Sequence, residues 1–256
     1  CRSIARCGAG TNNCNVPLMT DLGVPVFNTP GANANAVKEL ALCGLFLASR
    51  GVMEGATRME ELHQSGEAHA QIEKVKAQFG GRELAGKTLG VVGLGAIGAA
   101  VLKAALDLRM EVVGFDPALS VDAALKLPGH RIRIVDSLED LAKASDYISL
   151  HAPSNDATNG MISTQILSQM RPDACILNFA RGELVDEAAL AHHFDNNGTG
   201  RYVCDFAVGP ELSPRSNVIV LPHLGASTDE AEENAAAMAA DTTALYLQTG
   251  TIRDSV

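Results

Sequence analysis

Thr88-Leu89-Gly90-Val91-Val92-Gly93-Leu94-Gly95-Ala96-Ile97-Gly98 decides the fold of this 256-residue chain. The run Thr88–Val92 is short and apolar, as a buried strand is. It breaks into a Gly-x-Gly-x-x-Gly turn, and the residues after it are strong helix formers. Gly93 permits a tight strand-to-helix turn. Gly95 has no side chain, so a pyrophosphate can approach the backbone, and Gly98 lets the helix pack closely on the strand. The helix start then offers free N–H groups and a partial positive charge to phosphates. A second apolar run, Glu111–Phe115, ends at Asp116, 18 positions past Gly98. A carboxylate there can accept bonds from adenosine ribose hydroxyls and repels a 2′-phosphate. Together these features predict NAD rather than NADP.

Outward from that stretch the pattern repeats. Strands are predicted at 88–92, 111–115, 132–135, 146–150, 174–178, 201–205 and 217–221, with helices between them. All are short and nearly continuous in apolarity, as strands covered on both faces are. Such alternation predicts an α/β fold built on a doubly wound parallel sheet. Ser137-Leu-Glu-Asp140 and Ser227-Thr-Asp-Glu230 look like capping boxes that start two helices. The last helix is expected over 228–248, ending near Gly250. Upstream, residues 1–30 read as strand, glycine loop, short helix and strand. Residues 33–59 read as one helix. Residues 60–82 alternate in charge, which suits a solvated helix or an arm that touches another subunit.

Hydrophobic residues make up 46% and charged residues 20%, ordinary for a soluble protein. The net charge of −10 argues against nucleic acid and anionic membranes as partners. An anionic substrate must then be held by local cations against the mean field. The six cysteines form no C-x-x-C and stand at no zinc spacing, so no metal is expected and a reduced, cytoplasmic setting is. Cys175 and Cys204 fall in predicted strands, as small hydrophobes. The longest apolar run, Leu40–Ala48, is too short for a bilayer. The chain begins at Cys1 without a Met, and an incomplete N-terminus is expected.

Chemistry is sought at the strand ends. Strand 146–150 leads into His151-Ala-Pro153, strand 174–178 into Asn178-Phe-Ala-Arg181-Gly182, strand 201–205 ends in Asp205, and strand 217–221 leads into Pro222-His223-Leu-Gly225. Arg181 can hold a carboxylate by two parallel bonds, the alternative being a salt bridge to Glu183 or Asp186. His223 can take and return a proton near neutral pH, the alternative being a buried, hydrogen-bonded histidine. His151 is expected to contact the cofactor or cap its strand, and Asp205 to bond the nicotinamide carboxamide. His63, His69, His130, His192 and His193 have no partners in the pattern and read as surface residues.

Taken in order, Gly93–Gly98 with Asp116, His151-Ala-Pro153, Asn178-Phe-Ala-Arg181-Gly-Glu-Leu-Val-Asp186, and Pro222-His223-Leu-Gly-Ala-Ser-Thr228 resemble the D-2-hydroxyacid dehydrogenases. Ala5–Asn13 and Phe27–Glu39 look most like the D-3-phosphoglycerate dehydrogenase branch, and the segment 60–82 is similar to its short bacterial and protist members. The resemblance implies a Rossmann NAD domain, residues 33–225, inserted into a smaller flavodoxin-like substrate domain, residues 1–32 plus 226–256. It implies hydride transfer between a 2-hydroxy acid and NAD, with a phosphorylated acid as substrate. Arg181, Glu211 and His223 match the catalytic set, although Glu211 stands one position late. The implied cofactor contacts are Gly93, Gly95, Ala96, Ile97, Gly98, Asp116, Pro117, His151, Ala152, Pro153, Thr158, Ala180, Arg181, Asp205, His223 and Gly225. The implied substrate contacts are Gly8, Ala9, Gly10, Asn33, Arg181 and His223. A homodimer through residues 33–80 is implied too. The first strand–helix units of the substrate domain and the regulatory C-terminal domain are expected to be missing. With them goes a phosphate-binding Arg, leaving Arg2, Arg6, Lys38 and Arg58 as candidates. The same machinery also suits a glyoxylate or hydroxypyruvate reductase, or an NAD-sensing corepressor.

Overall fold

The computed structural model describes residues 1–256 apart from Asn12 and Asn197 and the side chains of Asp122 and His130. Asn12 of the N-terminal stretch and the surface reading of His130 therefore lie outside the described residues. In chain order the elements are β1 (Ile4–Ala5), α1 (Val16–Asp21), β2 (Val26–Phe27), α2 (Ala34–Ser49), α3 (Val52–Gln64), α4 (Ala68–Val75), β3 (Thr88–Val92), α5 (Ala96–Asp107), β4 (Glu111–Phe115), α6 (Val121–Leu125), β5 (Arg133–Ile134), α7 (Leu138–Ala144), β6 (Tyr147–Leu150), α8 (Thr164–Leu167), β7 (Cys175–Asn178), α9 (Glu187–Asp195), β8 (Tyr202–Cys204), β9 (Val218–Val220) and α10 (Asp229–Thr249). They fall into two compact units, Ala41–Pro222, and Cys1–Leu40 with His223–Val256.

In the larger unit the seven apolar runs become one parallel sheet of order β5-β4-β3-β6-β7-β8-β9. All four residues of β6 and of β7 are buried, which is what covering a sheet on both faces demands of its sequence. The chain winds outward from β3 through β4 to β5, then returns to β6 on the other side of β3. Ligands bind at such a reversal. Val92 pairs with both Phe115 and Leu150, Leu150 with Asn178, Asn178 with Cys204, and Cys204 with Val220. The carboxyl ends of six strands therefore finish level along one edge.

The opposite edge carries a separate polar network. Asp146, 5% exposed, accepts from the Thr88 N–H at 2.8 Å and from Arg171 Nη1 at 2.5 Å. Arg82 donates to the Tyr147 hydroxyl at 2.8 Å, lies 4.8 Å from that ring's centre, and pairs with Asp173 at 2.7 Å. Cys175 accepts from Arg82 Nη2 and from the Arg201 N–H, so this thiol does more than fill space. Burial pushes its pKa up.

Two sequence expectations are corrected here. The helix expected over 33–59 breaks at Arg50–Gly51, because the Gly51 N–H bonds the Phe79 carbonyl and a Cβ on Gly51 would stand 3.1 Å from Phe79 Cα. The 60–82 segment holds a small core of its own, Leu62, Ala68 and Val75, packed by Met59 and Phe79. Solvation alone does not describe it.

In the smaller unit β1 and β2 pair in parallel, Ile4 with Val26 and Ala5 with Phe27. Phe27 is fully buried and meets Tyr246 of α10 edge-on at 5.6 Å. Ser137 caps α7 as expected, but the cap of α10 is Thr228, whose hydroxyl accepts the Ala231 N–H. Ser227 instead donates to the His223 carbonyl at 3.4 Å.

Two residues past the end of α5, Arg109 sits at φ 60, in the left-handed region. Its N–H bonds Leu106 O and the Met110 N–H bonds Ala105 O, the two bonds of a Schellman cap. Glycine fits that position without a Cβ clash. Arg109→Gly is expected to stabilise the protein by about 1 kcal/mol in urea melts. A destabilised variant would show that the arginine side chain contributes more than its backbone strain costs.

Candidate active site

The glycine turn has the shape its sequence predicts. Gly93 sits at φ 86, and a Cβ there would stand 2.7 Å from the His151 carbonyl. A Cβ on Gly98 would stand 1.9 Å from Gly93 O, so helix and turn touch through the missing side chain. Gly95 faces open space and caps α5 without a side-chain bond. An uncapped helix start beneath an open glycine fits a dinucleotide pyrophosphate. Asp116 has a second task that sequence did not show. Its Oδ2 accepts the Leu94 N–H at 2.8 Å and its Oδ1 accepts the Ala118 N–H at 2.9 Å. The carboxylate thus ties the glycine turn to the loop carrying Pro117. Each oxygen keeps a lone pair for ribose hydroxyls.

At the end of β6 the His151 N–H bonds Val92 O, and its Nε2 lies 2.9 Å from Ser149 Oγ. Its Nδ1 is buried without a partner among the described residues. The Thr158 hydroxyl donates to Pro153 O at 2.6 Å and accepts the Asn155 N–H, folding the loop that presents Ala152 and Pro153. Burial lowers the His151 pKa from 6.5 to about 4. The unfolded chain takes up a proton below pH 6.5 that the folded chain refuses. The stability contributed by the neutral ring is complete above pH 6.5 and falls as pH drops towards 4, by on the order of 3 kcal/mol. His151→Gln is therefore expected to lose less stability than the parent between pH 7 and pH 5. Equal losses would exclude His151 as the titrating group.

Asn178 holds the Arg181 loop in a way the sequence pattern does not reveal. It is fully buried. Its Oδ1 accepts the N–H groups of Ala180 and Arg181 at 3.2 and 3.3 Å, and its Nδ2 donates to Arg181 O at 2.8 Å and to the Tyr202 hydroxyl at 3.3 Å. One amide thereby fixes the loop that carries Arg181. A polar residue closing an apolar strand was the available signal. Arg181 is partly exposed, and its Nη1 rests on Ala180 O at 2.6 Å. Neither acid of the alternative reading binds it. Asp186 caps α9 through the Ala189 N–H, and Glu183 is exposed.

Asp205, 1% exposed, follows β8 at the same edge. The loop after it is held by Glu187 of α9, whose Oε2 accepts the Gly209 N–H at 2.7 Å. Glu211 is exposed on this loop, and its carbonyl accepts from Arg215 Nε. His63, His69 and His192 are exposed as expected. His193 is half-buried, and burial lowers its pKa.

In the smaller unit the Gly8–Gly10 loop is pinned at two points. The Thr29 N–H bonds Gly8 O at 3.2 Å, and Asn28 Nδ2 donates to Ala9 O at 2.8 Å. Asn33 stands just before α2, and its buried Oδ1 has no partner among the described residues. His223 is exposed and sits at φ 50, a left-handed backbone, with buried Gly225 two positions on. Among the described residues no group of three or more His, Cys, Asp or Glu is placed to hold a metal ion. No helix among them is long and apolar enough to cross a membrane.

Residues 47–225 match the family model for the D-isomer specific 2-hydroxyacid dehydrogenase, NAD binding domain. A D-3-phosphoglycerate dehydrogenase from Mycobacterium tuberculosis is 36% identical over 258 residues, covering 99% of this chain and 46% of that protein. The chain thus spans about half the length of this relative. A hydroxypyruvate reductase from Thermotoga maritima is 37% identical over 238 residues, covering 90% of this chain and 72% of that one. The structure of an NAD-bound 3-phosphoglycerate dehydrogenase from Entamoeba histolytica superposes with a TM-score of 0.80 at 26% identity, over 100% of this chain and 75% of that one.

Proposed function

Because the chain belongs to the D-isomer specific 2-hydroxyacid dehydrogenase family, we propose that it oxidises D-3-phosphoglycerate to 3-phosphohydroxypyruvate, an entry step to serine. One observation carries the reaction class. The Gly93–Gly98 turn and the Asn178–Arg181 loop leave the same carboxyl edge, with only β6 between their strands. The phosphorylated substrate is supported by the identity to proteins named for it. NAD, when bound, supplies the nicotinamide carbon that accepts the hydride from C2. In this proposal residues Ala41–Pro222 bind NAD and the smaller unit contributes to holding the acid.

Arg181 holds the substrate carboxylate and the oxygen on C2 by charged hydrogen bonds. His223 takes the hydroxyl proton as C2 becomes a carbonyl. Glu211, exposed on its loop, is the carboxylate proposed to orient that imidazole. The backbone N–H groups of Gly8–Gly10 bind the acid end of the substrate. Asp116 selects NAD over NADP.

The Thermotoga relative supports a second reading, reduction of hydroxypyruvate. Steady-state rates with 3-phosphoglycerate and 3-phosphohydroxypyruvate, set against glyoxylate and hydroxypyruvate, separate the two. The phosphorylated pair is expected to win, with NAD(H) favoured over NADP(H). Faster turnover of the unphosphorylated acids would overturn the substrate.

A homodimer through residues 33–80 is part of the proposal. Phe46, Val52, Met53 and Ile72 in that region are each 45–51% exposed, apolar surface that a second copy would cover. The free cysteines suit the reducing cytoplasm.

A further inference from the structure

The sheet of the larger unit ends at β5, whose outer side pairs with no strand among the described residues. The Val135 N–H bonds Gly114 O on β4. A strand turns the backbone groups of alternate residues to opposite sides. With Val135 facing into the sheet, the N–H and C=O of Ile134 therefore face out of it. Ile132 and Asp136 are in phase with Ile134, and they too make no backbone–backbone bond among the described residues. Such a row of unpaired groups is a template for another strand.

Helix α7 makes this rim into a groove. Arg133 to Asp136 line one side, and Asp140, Lys143 and Ala144 of α7, spaced i, i+3 and i+4 on one helix face, line the other, enclosing about 500 Å³. Register decides which side chains face the helix. Gly90 pairs with Val113, and Val113 with Arg133. A Cβ on Gly90 would stand 2.5 Å from Leu141 of α7. Arg133 thus lies on the α7 side of the sheet, and Ile134, 45% exposed, on the other. A crossover helix runs back against its strand, so the last turn of α7 stands by the start of β5. The groove is therefore cationic at one end, with Arg133 and Lys143, and acidic at the other, with Asp136 and Asp140.

Charge narrows the choice of occupant. Ala123–Val135 carries three cations, Lys126, Arg131 and Arg133, and no acid, in a chain of net charge −10. Arg133 and Lys143 form no ion pair among the described residues, and Arg131 donates to the Leu106 carbonyl at 3.2 Å rather than to an acid. Arginine on an outermost strand keeps neutral strands off. It also opposes a second copy. Two β5 strands paired antiparallel about Ile134 would make their Arg133 side chains diagonal neighbours on one face. An acidic strand meets the opposite condition.

We propose that the groove between β5 and α7 docks an extended acidic segment of another protein, which joins the seven-stranded sheet as a further strand. Its backbone bonds the outward groups of Ile134. Its acidic side chains, at alternate positions, meet Arg133 and Lys143 on the α7 side, and its apolar side chains pack on Ile134 on the other. Asp136 and Asp140 set its direction by repelling acids from their end. None of the residues given roles in the proposed reaction takes part.

The test uses the full chain and a fluorescein-labelled peptide that alternates Asp and Val over about eight residues, within the usual length of a strand. A peptide alternating Lys and Val is the control. Fluorescence anisotropy should show saturable binding of the acidic peptide with Kd below about 1 mM, and none of the basic one. Arg133→Glu should weaken binding by about tenfold or more. Ile134→Pro removes the outward N–H and leaves the bonds to β4 in place, which proline allows on an outermost strand. It should weaken binding about 3–10-fold, the contribution of one hydrogen bond. Amide exchange across residues 132–136 of the parent should slow when the acidic peptide is added. Absence of saturable binding overturns the proposal, as does equal binding of the two peptides. If Arg133→Glu weakens binding while Ile134→Pro and amide exchange do not respond, charge alone holds the peptide and strand addition is wrong. If Ile134→Pro lowers the oligomeric state in sedimentation, the rim belongs to a second copy and the proposal falls. Should Ile134→Pro fail to fold, amide exchange in the parent decides.

Discussion

His223→Ala should lower turnover by ~10²–10⁴-fold while leaving NAD affinity unchanged. The backbone makes this more than a motif argument. His223 lies at φ 50, one of three non-glycine residues with positive φ among those described. Holding an L-residue there costs roughly 1–2 kcal/mol, and glycine avoids the cost. A backbone cost of this kind at a residue assigned a catalytic role fits the pattern of strain stored at functional sites. His223→Gly provides the matching test. It should remain folded in urea melts and be as inactive as His223→Ala. Full turnover in either variant would remove His223 from the mechanism. A strongly destabilised glycine variant would mean that the side chain is there for packing.

The second large effect concerns NAD itself. A Cβ at Gly98 would stand 1.9 Å from Gly93 O and 3.3 Å from Val91 Cγ1. Neither neighbour can yield without moving the turn or the strand. Overpacking of this kind costs about 1–3 kcal/mol. If the turn moves to relieve it, NAD affinity falls by about 10–100-fold. Gly95→Ala separates the ligand from the fold. Its Cβ meets nothing within 4 Å, so stability should hold, yet the methyl would occupy the approach to the pyrophosphate. Fluorescence titration with NADH and urea melts of both variants distinguish the cases. Gly98→Ala should fall in both measurements and Gly95→Ala in affinity alone. Unchanged affinity in Gly95→Ala would show that the pyrophosphate does not cross that residue.

Much of this was legible because the signals are local. The inner strands of the sheet need apolar runs, whereas β5 at its rim, expected as a covered strand, has both Arg133 and Ile134 exposed; a Gly-x-Gly-x-x-Gly turn needs its glycines whatever the rest of the chain does. The turn, Asp116 and the strand ends could be placed from such patterns alone. What escaped depends on partners distant in sequence. The break at Gly51 is set by Phe79, which pattern in a helix window does not contain. The double duty of Asp116 depends on Leu94 and Ala118 turning to meet it. Asn178 reads in sequence as a polar residue closing a strand. Its importance emerges when one amide is seen to satisfy backbone groups on both sides of the Arg181 loop. Thr228 displaced Ser227 as a cap because either hydroxyl suits the pattern, and Ser227 found the His223 carbonyl instead.

The network of Asp146, Arg171, Arg82 and Tyr147 at the far edge of the sheet has a bearing on how this protein could change over time. The strands are anchored there by bonds that involve none of the turns at their carboxyl ends. Substitutions in those turns can accumulate without loosening the scaffold, so drift in substrate preference and persistence of the fold are separable. Directed evolution should find new acids by sampling the turns, and should find only unfolded protein by sampling Asp146 and its neighbours.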